Sequence, residues 1–107
     1  MNSVKLLTIE KLDEMFKKYP LYSQDSVKDK KVILEVFIPF QNMYWLILEG
    51  NCEDGDFIFF GYCHITDGEF GYVSFNELYN LNYDLRFNYY ERPISLNKLK
   101  NKYDIDK

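Results

Sequence analysis

Alanine is absent from this 107-residue chain, which also carries only two cysteines, one histidine and one tryptophan. Each scarcity excludes something. Cys52 and Cys63 are too few to frame a small secreted domain with disulfides. No apolar run approaches the roughly 20 residues that a membrane-crossing helix needs, and "MNSVKLLTIEKLDEMF" contains neither an unbroken hydrophobic region nor a small-residue cleavage site. A cytoplasmic protein with reduced thiols is the expectation. The most extended absence is of positive charge. From Val32 to Leu85, 54 residues, there is no Lys or Arg, while Glu35, Glu49, Glu53, Asp54, Asp56, Asp67, Glu69, Glu77 and Asp84 give nine acids. Such a segment repels phosphate, so direct nucleic-acid binding is disfavoured there and would fall to the basic C-terminal Lys98, Lys100 and Lys102. The net charge of -4 conceals this layout, because residues 1–31 and 86–107 both carry an excess of bases.

The chain does hold rings. Ten Tyr, nine Phe and one Trp make 19% of it, within a 47% apolar and 28% charged composition that belongs to a folded globular chain. At this length one core and one domain, residues 1–107, are expected. Tyrosine in excess points to a binding face, since its ring buries area while its hydroxyl stays wet.

Thr8 can cap a helix in which Ile9, Leu12, Phe16 and Tyr19 recur at helical spacing, ended by Pro20. After a polar loop, "KVILEVFI", "NMYWLILEG", "DFIFFGYCHI" and "EFGYVS" read as consecutive strands, the second and third apolar on both alternating faces as central strands are. Ser74 and Glu77 have capping-box spacing and predict a short helix over residues 75–81. "LRFNYYER" is a last strand, and Pro93 with Ser95 sets up a final helix through "LNKLKNKY". Both chain ends should fray. These elements predict an α+β fold, a small, mainly antiparallel sheet of four to five strands with helices packed on one face.

The stretch "LILEGNCEDGDFIFFGYCH", residues 46–64, looks like a site. Structural zinc wants four ligands in close pairs, whereas here ten residues intervene between Cys52 and Cys63-His64. With Asp54-Gly55 at the centre of a type I′ turn, Cys52 faces Phe57 and Cys63 faces Leu46, so the sulfurs lie far apart and read as buried, inert thiols. "EDGDF" falls short of a calcium loop. Histidine as a residue type suits a general base, and Asp67 or Glu69 could orient His64, but no nucleophile is spaced to it. No metal, cofactor or catalytic residue is assigned.

Five segments in order, "PLYSQ" (20–24), "FIPFQNMYWLILEG" (37–50), "EDGDFIFFGY" (53–62), "EFGYVSFNEL" (69–78) and "RPISLNKL" (92–99), resemble a bacterial family known as domain of unknown function 2958, common on plasmids, conjugative elements and phages. The resemblance implies a mobile-element context and carries no activity or catalytic residue over. The family pattern continues from the capped helix into a Gly-containing loop, whereas "YNLNYDLRF" has no glycine.

Charge layout and resemblance together predict a non-enzymatic, acidic protein-binding module. Its partner would present a basic surface, most concretely a host defence or nucleic-acid-handling protein inhibited in the anti-CRISPR or antirestriction manner by partial nucleic-acid mimicry. Candidate contacts are Glu49, Glu53, Asp54, Asp56, Asp67 and Glu69, with Tyr44, Tyr62 and Tyr72 as aromatic anchors. Two alternatives stand beside it: a small enzyme using His64 and nearby acids, and a nucleic-acid-binding accessory protein using the basic tail.

Overall fold

The side chain of Thr8 accepts the Lys11 N–H at 3.1 Å and starts helix α1 (Ile9–Met15), whose Leu12 turns inward together with Phe16 just beyond it. The helix is shorter than its apolar spacing predicts. The Phe16 N–H already reaches the Leu12 and Glu14 carbonyls together, and a turn covers residues 16–18 before Pro20. The computed structural model describes residues 2–104; Met1 and residues 105–107, on which the expectation of fraying falls, lie outside the described residues.

Runs rich in β-branched and aromatic residues form β2 (Lys31–Phe37), β3 (Tyr44–Glu53), β4 (Asp56–His64) and β5 (Gly68–Ser74), then β6 (Arg86–Ser95). A two-residue strand β1 (Asn2–Ser3), followed by a 3-10 turn at Val4–Leu6, pairs with β6 and brings the sheet to six strands, one more than expected. The order is β1-β6-β2-β3-β4-β5, with every pair antiparallel. The α+β class with an antiparallel sheet therefore holds. Asp54 and Gly55 both take positive φ, 48° and 80°, as a type I′ turn requires, and Cys52 pairs with Phe57. Beyond it the register slips between Ile47 and Glu49, so Cys63 faces Trp45 and not Leu46.

Ser74 accepts the Glu77 N–H and starts α2 (Phe75–Tyr79), and α3 (Leu96–Asp104) follows β6 directly. The helices do not share one face. Phe16, Leu12, Phe75 and Leu78 from α1 and α2 cover a first sheet face built from Leu34, Val36, Trp45, Ile47, Phe57 and Phe59. Leu96 and Leu99 of α3, with Tyr103, cover Val32, Tyr44, Leu46 and Leu48 on the second face. The reason lies in β2 and β3, which are apolar on both sides and need a cover over each. Among the described residues no helix is long and apolar enough to cross a membrane.

Candidate functional site

α3 covers the second face over β6, β2 and β3 and only borders β4, where Phe60 and Tyr62 pack half-buried against its cluster. Across β4 and β5 that face carries a row of rings instead: Tyr62 against Phe70 at 5.4 Å, Phe70 against Phe60 at 6.2 Å, and Phe60 against Tyr72 at 5.0 Å between centroids. Phe70 is 48% and Tyr72 57% exposed, and Tyr22, 65% exposed, extends the row through a hydrogen bond to Tyr72. That bond, loss of hydration and the nearby carboxylates of Asp25 and Glu49 hold the Tyr72 phenol above its usual pKa. At the other end the Lys100 ammonium lies 4.3 Å above the Tyr62 ring. The row combines exposed ring area with phenol hydroxyls.

The predicted contact residues divide into two groups. Glu49, 2% exposed, is not a surface acid: its two oxygens accept the backbone N–H groups of Tyr22 at 2.8 Å and Gln24 at 2.7 Å. Tyr44, also 2% exposed, is sandwiched between the Tyr103 ring at 3.7 Å and the His64 ring at 4.9 Å. Neither can reach a partner in this fold. Asp56 accepts the Ser74 hydroxyl and the N–H groups of Asn76 at 3.0 Å and Phe57 at 2.7 Å; partial burial raises its pKa, these bonds outweigh it, and the carboxyl titrates below its ordinary range. Its work is to tie the hairpin to α2. Glu53, Asp54, Asp67 and Glu69 are exposed, and Tyr62 and Tyr72 stand in the aromatic row.

The exposed acids do not form one patch. Glu53 and Asp54 lie at the β3–β4 turn and Asp67 at the β4–β5 turn, with the nine residues of β4 between them, so about 26 Å separates the two ends at the usual strand rise. Glu35, counted among the same acids, is fully buried and gathers the hydroxyls of Tyr90 at 2.6 Å and Tyr103, the Asn88 amide at 3.2 Å and the Lys102 ammonium at 3.2 Å. Burial pushes its carboxyl up, but these four donors prevail and its pKa is lowered. The phenols of Tyr90 and Tyr103 are raised by burial and by that carboxylate.

The imidazole of His64 is largely buried, stacked on Tyr44, and its Nδ1–H donates to the Asn42 carbonyl, an acceptor only, at 2.9 Å. Glu69 sits across from Cys63 on the first face, whereas His64 lies on the second, so Glu69 does not orient the ring. Cys52 is exposed, which corrects the expectation of two core thiols, while burial and then Glu69 push the Cys63 thiol up to about 11. Six steps along β4, from Phe57 to Cys63, separate the two pairings, roughly 20 Å. Among the described residues no group of three or more His, Cys, Asp or Glu could hold a metal ion.

The sequence pattern of the family described as Protein of unknown function (DUF2958) matches residues 6–101. The chain belongs to this family. No curated protein and no solved structure matches it.

In this DUF2958 chain the segments that carried the resemblance are largely architectural. "PLYSQ" is the loop whose backbone Glu49 holds, with Asn51 accepting the Leu21 N–H at 3.0 Å. The Gln24 side chain then completes the sheet: its amide donates to the Lys31 and Leu48 carbonyls, both at 2.8 Å, and its oxygen accepts the Lys31 N–H at 2.6 Å. Residues that pattern reading missed are Phe60, Phe70 and Tyr22, and Lys100, expected only as a contact for nucleic acid, meets the row at Tyr62. Strand alternation places Phe60, Tyr62, Phe70 and Tyr72 on a common face once the hairpin is paired, so part of that row was available as a signal. Phe40, fully exposed at φ 63° in the β2–β3 turn, had no signal at all.

Proposed function

We propose that this DUF2958 chain is a protein-binding module whose contact surface is the aromatic row of β4 and β5. The observation that carries the reading is the exposure of Phe70, Tyr72 and Tyr22 on a sheet face that α3 leaves open. Monomeric domains seldom expose contiguous apolar area of this kind without a use for it, and rings on a rigid sheet make good anchors because little side-chain freedom is lost on binding. The exposed Glu53, Asp54 and Asp67 stand at the turns beyond the ends of the row, and Glu69 lies on the opposite face of the same edge strand, which favours a partner with a basic surface and speeds encounter with it. In its most concrete form the partner is a host defence or nucleic-acid-handling protein that the module inhibits. The roughly 26 Å gap between the acidic ends gives nucleic-acid mimicry a narrower role than the continuous run of acids implied. Affinity capture from the native host tests the reading: a captured protein should be released by moderate salt and lost when Glu53, Asp54, Asp67 and Glu69 are changed to Lys. Capture unaltered by these four changes would overturn the electrostatic part of the reading.

One observation favours a second reading. Lys100 reaches the Tyr62 ring, so the basic C-terminal helix and the aromatic row meet, as in surfaces that stack single-stranded bases and hold their phosphates. A gel shift with single-stranded oligonucleotides at low salt, weakened by Lys98→Glu with Lys100→Glu, would support it; no shift at low salt would end it.

A further inference from the structure

The two edges of the sheet are treated differently. At one edge β6 is partly covered by β1, and its outer half contains Pro93 and Arg92, both of which discourage another strand. At the other edge β5 pairs only with β4, its seven residues run without a register shift, and it has no Pro, no Lys and a single charge, Glu69. Gly68 to Phe70 and Tyr72 are exposed, so its outer backbone groups face water. An unguarded strand of this length is a template for pairing.

Gly71 at its centre is unexplained within the chain. It faces Gly61 across the ladder, and Gly61 is required: an added Cβ would strike the Leu46 carbonyl and the Ile47 backbone. At Gly71 an added Cβ would meet nothing within 4 Å, and the backbone is not left-handed. A glycine weakens a strand and is otherwise used where another backbone comes close.

We propose that the chain forms a two-fold symmetric dimer by antiparallel pairing of β5 with β5 of a second copy, centred on Gly71. In an antiparallel ladder outward-facing backbone groups alternate, so a two-fold axis must pass through a pair of identical residues and the register can shift only by steps that keep it there. Centring on Gly71 overlaps the whole of β5, from Gly68 to Ser74. It sets Phe70 opposite Tyr72 of the second copy, an aromatic cross-strand pair. It sets Glu69 opposite Val73, leaving the two Glu69 carboxylates four residues apart along the strands, about 13 Å, which exceeds the screening length at physiological salt. The strand is thus complementary to itself in length, rings and charge, which selects a second copy over an unrelated peptide. The product is a twelve-stranded sheet in which the two aromatic rows lie on the same side and join across the axis. It stands independently of the partner reading.

Sedimentation velocity of the full chain over a wide concentration range tests the dimer. The apparent mass should rise twofold from 12.9 kDa, and the small interface should dissociate on dilution. Gly71→Lys puts two ammonium groups across the axis and should abolish the rise while leaving circular dichroism and thermal unfolding intact, since its side chain enters open space. Gly71→Glu should do the same. An equimolar mixture of the two variants should recover the doubled mass. A native chain that stays monomeric at the highest concentration, a dimer that survives Gly71→Lys, or a mixture that stays monomeric would each overturn the proposal. Partner capture that persists with Gly71→Lys would separate this dimer from the binding face.

Discussion

Two carboxylates inside this protein hold distant segments of its chain. Glu49 fixes the loop before β2 through the Tyr22 and Gln24 N–H groups, and Glu35 fixes α3 through Tyr103 and Lys102. Because Glu49→Gln sets an amide N–H₂ against one of two buried donors, it should cost about 1–3 kcal/mol, read as a lowered urea midpoint with an unchanged slope. Glu35 and Asp56 give the pH dependence. Their carboxyls titrate lower in the folded chain than in the unfolded one, so the unfolded state binds protons first as pH falls. Their contribution is complete above the ordinary carboxylate values of 4.5 and 3.8 and is lost as pH drops through them toward the depressed folded values. Urea titrations should show stability falling below about pH 4.5, and Glu35→Gln should flatten that fall. None of this was legible in a run of nine acids without a base. Strand pairing brings Asn88 and Tyr90 of β6 to Glu35 and Ser74 of β5 to Asp56, but the remaining donors come from α3, from the loop after α1 and from α2, which strand spacing alone does not place.

The paired glycines of β4 and β5 set a contrast at the scale of the elements. Gly61→Ala drives its methyl into the backbone at the β3 bulge and should destabilise by about 2 kcal/mol or more, whereas Gly71→Ala, with open space around it, should be neutral or stabilise by up to about 1 kcal/mol; chemical denaturation of both variants measures the difference. Leu99→Ala, at a buried position of α3, should cost about 2–4 kcal/mol and accelerate amide exchange most within that helix. The β3–β4 turn was legible because Asp-Gly between apolar runs carries its own backbone requirement, met at φ 48° and 80°. The bulge beyond the fifth pair from that turn was not, since nothing in "WLILEG" marks Leu48 as the extra residue, and so Cys63 faces Trp45. Likewise Pro93 and Ser95 foretold a helix through "LNKLKNKY" without saying which face it would cover.

Over the whole molecule the sheet divides its second face between two uses. α3 seals the half over β2 and β3, and the half over β4 and β5 is left as rings with acids at both ends. Composition announced the aromatics and the charge, and pairing turned them into a surface on which only Tyr62 and Tyr72 of the three candidate tyrosines remain. The double substitution Phe70→Ser with Tyr72→Ser removes the two most exposed rings of β5 without touching either core cluster, so thermal unfolding should change little. Calorimetric titration of the captured partner against the native chain and this variant is the most direct test of the account. A loss of about 2 kcal/mol, roughly thirtyfold in affinity, is the hot-spot magnitude expected for such anchors; equal affinities for the two chains would contradict the assignment of this face.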